Sequence, residues 1–296
     1  MRKSIDVAYT FGGTRWKTAA VSIISLLKNR KGFNYRIFCI VKPEFFAKKA
    51  EQKIMSRLVA KFGKGGSTIK FIKFDYDNAS VPLTEDMAFG GGVCYYKLDL
   101  FALLPKVDRI IYLDDDTIIL RPLDELATLD LGDKYMMAFR PGQTFKITDA
   151  DTDRYGELQP FNAGVLVLNL KSIRASRVHE TFAELFKDEG LSYEQGLLSA
   201  AFKDKLAMYD GDTLYNHRMG QDFGTRGKQI AIIHYTGKKP WFFPTRRFFT
   251  WWNYAERSPF FGEFLKSFLH NFLLYIMVML IPSKRLRHSL RNKYSK

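Results

Sequence analysis

The sequence predicts an α/β sandwich built on a largely parallel sheet. Three observations carry that prediction: strand-like and helix-like segments alternate through the first two thirds of the chain, the strand-like segments are short and apolar, and an acidic run lies at the end of one of them. With 296 residues, 46% hydrophobic and 26% charged, the chain has enough apolar material for one large domain with an appendage.

Residues 5–11 (IDVAYTF) read as the first strand, and residues 16–29 (WKTAAVSIISLLKN) follow with apolar positions at helical spacing. Residues 35–41 (YRIFCIV) read as a second strand, residues 44–62 as one helix after Pro43, and residues 67–74 (STIKFIKF) as a third strand. Residues 95–105 read as a helix ending at Pro105, ahead of a strand at 109–113. Further on come strands at 135–140, 161–170 and 229–235, and helices around 172–186 and 194–202. The glycine runs at 11–13 and 89–92 mark loops, and neither has the spacing of a P-loop or a dinucleotide fingerprint.

The formal charge of +15 is concentrated at one end. Residues 238–296 hold twelve of the 46 lysines and arginines but only two of the 31 acids, so the tail supplies most of the excess. That distribution argues against nucleic-acid binding by the whole protein. The two cysteines, Cys39 and Cys94, are too few for a disulfide framework or a cysteine-based zinc site and suit a reducing compartment. The start MRKSIDVAYTFGG has too short an apolar stretch for a secretory signal, so a cytoplasmic location is expected. Residues 267–283 carry no charge, reach only the lower limit of a membrane span and precede a basic cluster. That pattern predicts an interfacial helix against anionic headgroups, with residues 1–255 as the catalytic domain and 256–296 as a membrane-associating tail.

The stretch RIIYLDDDTII places Asp114, Asp115 and Asp116 between two apolar segments. In an extended chain Asp114 and Asp116 point one way and Asp115 the other. Two converging carboxylates in the crevice beyond a strand end make a hard oxygen site for magnesium or manganese. A rival reading takes Asp114 as the nucleophile of a haloacid-dehalogenase-like magnesium phosphatase, with residues 210–216 (DGDTLYN) as a later motif lacking its final acid. A third reading is an inactive relative that binds lipid or nucleic acid through its tail.

The segments YYKLDLFALLPKVDRIIYLDDDTIIL, FNAGVLVLNL, YEQGLLSAAF, LYNH and IIHYTGKKPW stand in the order and spacing of glycosyltransferase family 8, which this chain resembles from about residue 5 to residue 241. The resemblance implies a GT-A-type, Rossmann-like sandwich with a mixed, mostly parallel sheet. It implies a metal-dependent retaining enzyme moving glucose or galactose from UDP-glucose or UDP-galactose to a glycan acceptor such as a lipopolysaccharide core, at the inner face of the cell membrane. Asp114, Asp116 and His234 look like the ligands of manganese (or magnesium), and Gln195 and Glu194 look like the pair beside the anomeric carbon. Donor contacts are implied for Lys97, Asp115, Asn162, Ala163, Asn216, Gly237 and Lys239, with Lys238 sharing or taking the role of Lys239. The chain departs from the family pattern in having Glu194 for an aspartate, Ser199 for an asparagine, and no acid after the first strand. Thr10, Phe11 and Arg15 are then expected to line the nucleotide pocket. Gln195 is a weak nucleophile, so front-face attack by the acceptor hydroxyl is the expected route.

Overall fold

A computed structural model describes residues 4–83, 92–139, 161–187, 194–209, 212–218, 230–279 and 281. The expected strand at 229–235 and motif at 210–216 therefore fall partly outside the described residues, and the basic cluster after residue 283 lies wholly outside them.

The three strands and the first helix of the first half form as their periodicity predicts. Strand β1 (Ser4–Phe11), helix α1 (Trp16–Lys28), β2 (Asn34–Val41), α2 (Pro43–Ala47), α3 (Lys49–Phe62) and β3 (Thr68–Lys73) build a parallel β1–β2–β3 unit. Residues 44–62 are not one helix. The chain kinks at Lys48, where the Gln52 amide donates to the Phe46 carbonyl (2.7 Å), and Phe45 turns into the core edge-on to Phe11. A 3₁₀ segment (Val93–Asp99) and the short α4 (Leu100–Leu103) replace the helix expected at 95–105. Every residue from Tyr95 to Asp99 is buried, so no solvent face exists for an amphipathic helix to present.

Next come β4 (Arg109–Leu113), β5 (Thr117–Ile119), α5 (Asp124–Thr128), β6 (Met136–Phe139) and β7 (Val165–Asn169). After these follow α6 (Leu170–Ser176), α7 (Phe182–Phe186), α8 (Glu194–Ala201), β8 (Leu206–Tyr209), α9 (Asp212–Tyr215), β9 (His217–Arg218) and β10 (Ile232–His234). The helix expected at 172–186 is interrupted at Arg177, which takes a left-handed conformation (φ 56°).

The main sheet has the order β3–β2–β1–β4–β7–β6–β8. Among the described strands of this main sheet β7 alone runs against its neighbours, pairing antiparallel with both β4 and β6. A smaller sheet, β5–β10–β9, lies beside it. Alternation sorts the core: Val7, Ile111, Leu113 and Val167 face α1 and α3, whereas Ala8, Ile110, Tyr112 and Leu166 face α4, α6 and α8. The buried serines of α1 serve the edge of β5, since Ser25 Oγ accepts from Ile119 N (2.8 Å) and Ser22 Oγ bonds Thr117 Oγ1 (3.0 Å).

The chain closes with α10 (Phe248–Ala255) and α11 (Phe261–Met279). Phe260 and Phe264 plug into the same core cluster as Trp16, Trp241 and Trp251. Trp16 and Phe260 meet edge-on at 4.7 Å, as do Trp251 and Phe264 at 4.9 Å. On the opposite side of α11, Phe261, Leu265, Leu269, Leu273 and Met277 form an exposed apolar stripe at four-residue spacing. No helix among the described residues is long and apolar enough to cross a membrane.

Candidate active site

The parallel strands β1 and β4 pair side by side, and the acidic run begins where β4 stops. Asp114 to Thr117 form a tight turn rather than extended chain, closed by Thr117 N and Oγ1 on the Asp114 carbonyl (3.3 and 2.8 Å). The turn sends Asp114 and Asp116 to one side and Asp115 to the other. Antiparallel β5–β10 pairing sets His234 opposite Thr117, which carries its ring to the same side. His234 Nε2 lies 3.1 Å from Asp116 Oδ1 and 3.5 Å from Asp114 Oδ2.

Gly164 makes room for this convergence. Its carbonyl accepts from Asp114 N (2.8 Å), and a Cβ there would sit 2.0 Å from His234 Cε1 and 2.7 Å from Asp114 Oδ2. Asp116 Oδ1 is buried and receives no hydrogen bond. Ligand atoms of Asp114, Asp116 and His234 all lie within 4.8 Å of one another. Two carboxylates and an imidazole in this arrangement suit a divalent cation with oxygen and nitrogen ligands.

The neighbouring cations are arranged around these acids. Lys97, buried, donates to the Ala163 carbonyl (2.9 Å) and lies 3.4 Å from Glu194 and 3.6 Å from Asp114. Its ammonium also sits 4.4 Å over the Tyr112 ring. Burial disfavours its charge, but Asp114 and Glu194 outweigh burial and raise its pKa. Lys239 reaches back to pair with Asp116 and donates to the Tyr235 carbonyl (2.8 Å), whereas Lys238 is exposed. Burial pushes Asp116 up, yet Lys239 and Arg15 hold it well below the usual carboxylate range. Arg15 grips Asp115 with two donors, Thr18 Oγ1 adds a third (3.2 Å), and the guanidinium stands 6.0 Å from the Trp241 ring centre. Burial, working against Arg15, pushes Asp115 up to about 6.

The remaining residues singled out from sequence form a shelf beside these acids. Asn216 Oδ1 faces His234 Nδ1 (3.0 Å) while its NH2 reaches Asn162. Asn162 Oδ1 accepts from Gly164 N (3.0 Å), and Gln195 Oε1 accepts from Ala163 N (3.3 Å). Glu194 is buried against Lys97. Gly237 turns the chain after His234 with φ 76°, a conformation that favours glycine. Thr10 and Phe11 stand differently from the other residues. Thr10 Oγ1 bonds the Tyr112 hydroxyl (2.9 Å), and the Phe11 ring is 1% exposed and packed against Phe45, so it faces the core instead of the crevice.

Sequence reasoning missed Tyr112 and Gly164. Tyr112 donates to Asp114 Oδ1 (2.7 Å), and its position two residues before Asp114 on a strand was the available signal. Gly164 stood in the FNAG segment, but nothing local to it names His234 as its neighbour.

The model of glycosyl transferase family 8 matches residues 6–244. The lipopolysaccharide 1,2-glucosyltransferase of Escherichia coli is 25% identical over 278 residues, covering 88% of this chain and 77% of that protein. The glycosyltransferase GlyE of Streptococcus pneumoniae serotype 4 is 30% identical over 166 residues, covering 50% of this chain and only 37% of GlyE. Among solved structures, the galactosyltransferase LgtC, in complex with donor and acceptor sugar analogues, superposes with a TM-score of 0.66 at 20% identity, covering 86% of this chain and 96% of LgtC. The bifunctional glycosyltransferase WbbM gives a TM-score of 0.70 at 16% identity, covering 90% of this chain and 52% of WbbM. The fold is thus of GT-A type, with a mixed and mostly parallel sheet.

Proposed function

We propose, since this chain belongs to glycosyl transferase family 8, that it moves glucose or galactose from a UDP-sugar to a hydroxyl of a membrane-borne glycan, such as a lipopolysaccharide core, with retention at the anomeric carbon. The observation that carries this reading is the convergence of Asp114, Asp116 and His234 at the carboxyl end of the central strands. The orphaned Asp116 Oδ1 and the missing Cβ at Gly164 both fit these three residues holding manganese, or magnesium in its place. When bound there, the ion neutralises charge on the departing diphosphate.

The chain's own groups do the rest. Lys239 is within reach of Asp116 and is free enough to trade that carboxylate for a phosphate oxygen, and Gly237 lets the backbone approach the same group. Asn162, Ala163, Glu194 and Gln195 form the shelf for the hexose, held in place by Lys97. Arg15 and Asp115 border the nucleotide side. The acceptor oxygen attacks the anomeric carbon on the face that UDP leaves: the bond to the diphosphate oxygen breaks, the new glycosidic bond forms, and the hydroxyl proton passes to the diphosphate. Gln195 Oε1 already accepts from Ala163 N, which suits a residue that positions rather than one that attacks.

Residues 1–255 carry this chemistry, and 256–296 attach the enzyme peripherally to the anionic inner face of the cell membrane. The exposed stripe on α11 supports that attachment, because away from it Phe268 already packs on Phe248 and Trp252 of α10. The family match displaces the phosphatase reading of Asp114.

The test is UDP release from a panel of UDP-sugars by metal-stripped protein, with and without manganese. Slow, manganese-dependent release from UDP-glucose or UDP-galactose is expected and names the sugar. No release from any UDP-sugar, together with magnesium-dependent hydrolysis of a phosphomonoester, overturns the proposal.

A further inference from the structure

We infer that Asn216 is a positioning residue that selects the metal-ligating form of His234 and ties it to the sugar shelf, an inference that rests on reading Asp114, Asp116 and His234 as a cation site. The parallel register of β9 and β10, with His217 opposite Ile233 and Arg218 opposite His234, brings the residue just before β9 alongside the His234 ring. Asn216 is buried there, and both ends of its side-chain amide are engaged.

The direction of that amide follows from its neighbours. On one side lie two acceptors, Asn162 Oδ1 (3.2 Å) and the Asn162 carbonyl (3.3 Å), so the NH2 group faces them. The amide oxygen therefore faces His234 Nδ1 at 3.0 Å. An amide oxygen only accepts, so Nδ1 carries the proton. Nε2 is then the atom aimed between Asp114 Oδ2 and Asp116 Oδ1, the geometry of a ring nitrogen prepared for a cation.

The same amide acts on the shelf. Asn162 Oδ1 accepts from both Asn216 and Gly164 N, which fixes the turn whose Ala163 carbonyl holds Lys97 and whose Ala163 N–H holds Gln195. One asparagine thus links the ion ligand to the groups set under the hexose. Filling one site stiffens the other, so the sugar of the donor, and not only its diphosphate, is expected to tighten manganese binding.

The experiment uses the full chain. Nitrogen-15 NMR of the metal-free protein reads which imidazole nitrogen of His234 carries a proton, and calorimetry reads manganese affinity with UDP and with UDP-glucose or UDP-galactose. The wild type is expected to show a protonated Nδ1. Asn216→Ala is expected to lose that signature and to bind manganese about 10- to 100-fold more weakly. Asn216→Asp still accepts from Nδ1 but cannot donate to Asn162. It should therefore recover manganese affinity while losing the extra affinity that UDP-sugar gives over UDP. An unprotonated Nδ1 in the wild type, or a folded Asn216→Ala within twofold of wild-type manganese affinity, overturns the inference. If Asn216→Ala does not fold, Asn216→Asp decides, and an undiminished sugar increment overturns the link to the shelf. A protonated Nδ1 in a wild type that takes up no manganese overturns the metal reading and leaves the tautomer assignment standing.

Discussion

Two groups of charges flank the Asp114–Thr117 turn, and they differ in what water can reach. On one side Lys97 is sealed, with a side chain 1% exposed, between Asp114, Glu194 and the Tyr112 ring. On the other side Arg15 and Lys239, with side chains 44% and 21% exposed, hold Asp115 and Asp116 from the solvent edge. A sealed ion pair is part of the fold, because removing one partner strands the other in a medium that cannot hydrate it. In a half-open pair the cation keeps its contact with water, so it is available to a ligand. The crowded aspartates are made tolerable by three cations of the chain itself, one fixed and two exchangeable.

Asp116 is where that contrast is sharpest, since its Oδ2 side faces the open cations and its Oδ1 has no hydrogen bond. Asp116→Ala is expected to lower UDP release about a thousandfold or more, several kcal/mol of transition-state stabilisation at about 1.4 kcal/mol per factor of ten. Retained turnover breaks the assignment of the open side to chemistry. The two lysines sharpen the comparison directly. Lys97→Met should cost about 3–5 kcal/mol in urea unfolding, and Lys239→Met less, because Arg15 and His234 remain beside Asp116. Equal losses would mean that exposure does not separate them.

Gly164→Ala tests how tightly the ligands are packed. The added methyl must displace the His234 ring, so an overpacking cost of about 1–3 kcal/mol is expected, read as a fall in Tm together with weakened manganese binding. The smallest effect concerns the sealed side alone. Asp99 lies on the same 3₁₀ segment as Lys97, and burial pushes its carboxyl up to about 6 despite two hydrogen bonds from Ser80. The native protein then holds that proton below about pH 6 and the unfolded chain only below about pH 4, so this group adds stability as pH falls between those values and loses it as pH rises. Asp99→Asn should flatten that slope and gain about 1–2 kcal/mol at pH 7, measured as the urea midpoint at pH 5 and pH 7.

What the sequence made legible follows the range of the interactions involved. Strands β1 to β3 and helix α1 were readable because alternation and helical spacing are local, and the aspartates could be placed at a strand end for the same reason. The reversed direction of β7 was not readable, since VLVLN is buried on both faces and reads the same either way. Nor were the breaks at Lys48 and Arg177, both of them residues able to continue a helix. Within the site, Arg15 on Asp115 spans 100 residues and Asn216 on Asn162 spans 54, distances over which no local pattern carries a signal. The turn at Asp114–Thr117 produced by hydrogen bonding what strand alternation was expected to produce, two aspartates on one side.

The plugging of Phe260 and Phe264 into the core has a mechanical consequence. A helix joined to its domain by a floppy linker tethers, whereas one bolted by two aromatic rings works as a bracket. Any lipid surface that takes up the outer stripe of α11 meets the crevice at a fixed height and tilt. With the attachment proposed above, the reach required of an acceptor hydroxyl would be set by the protein's own geometry, as a gauge sets depth.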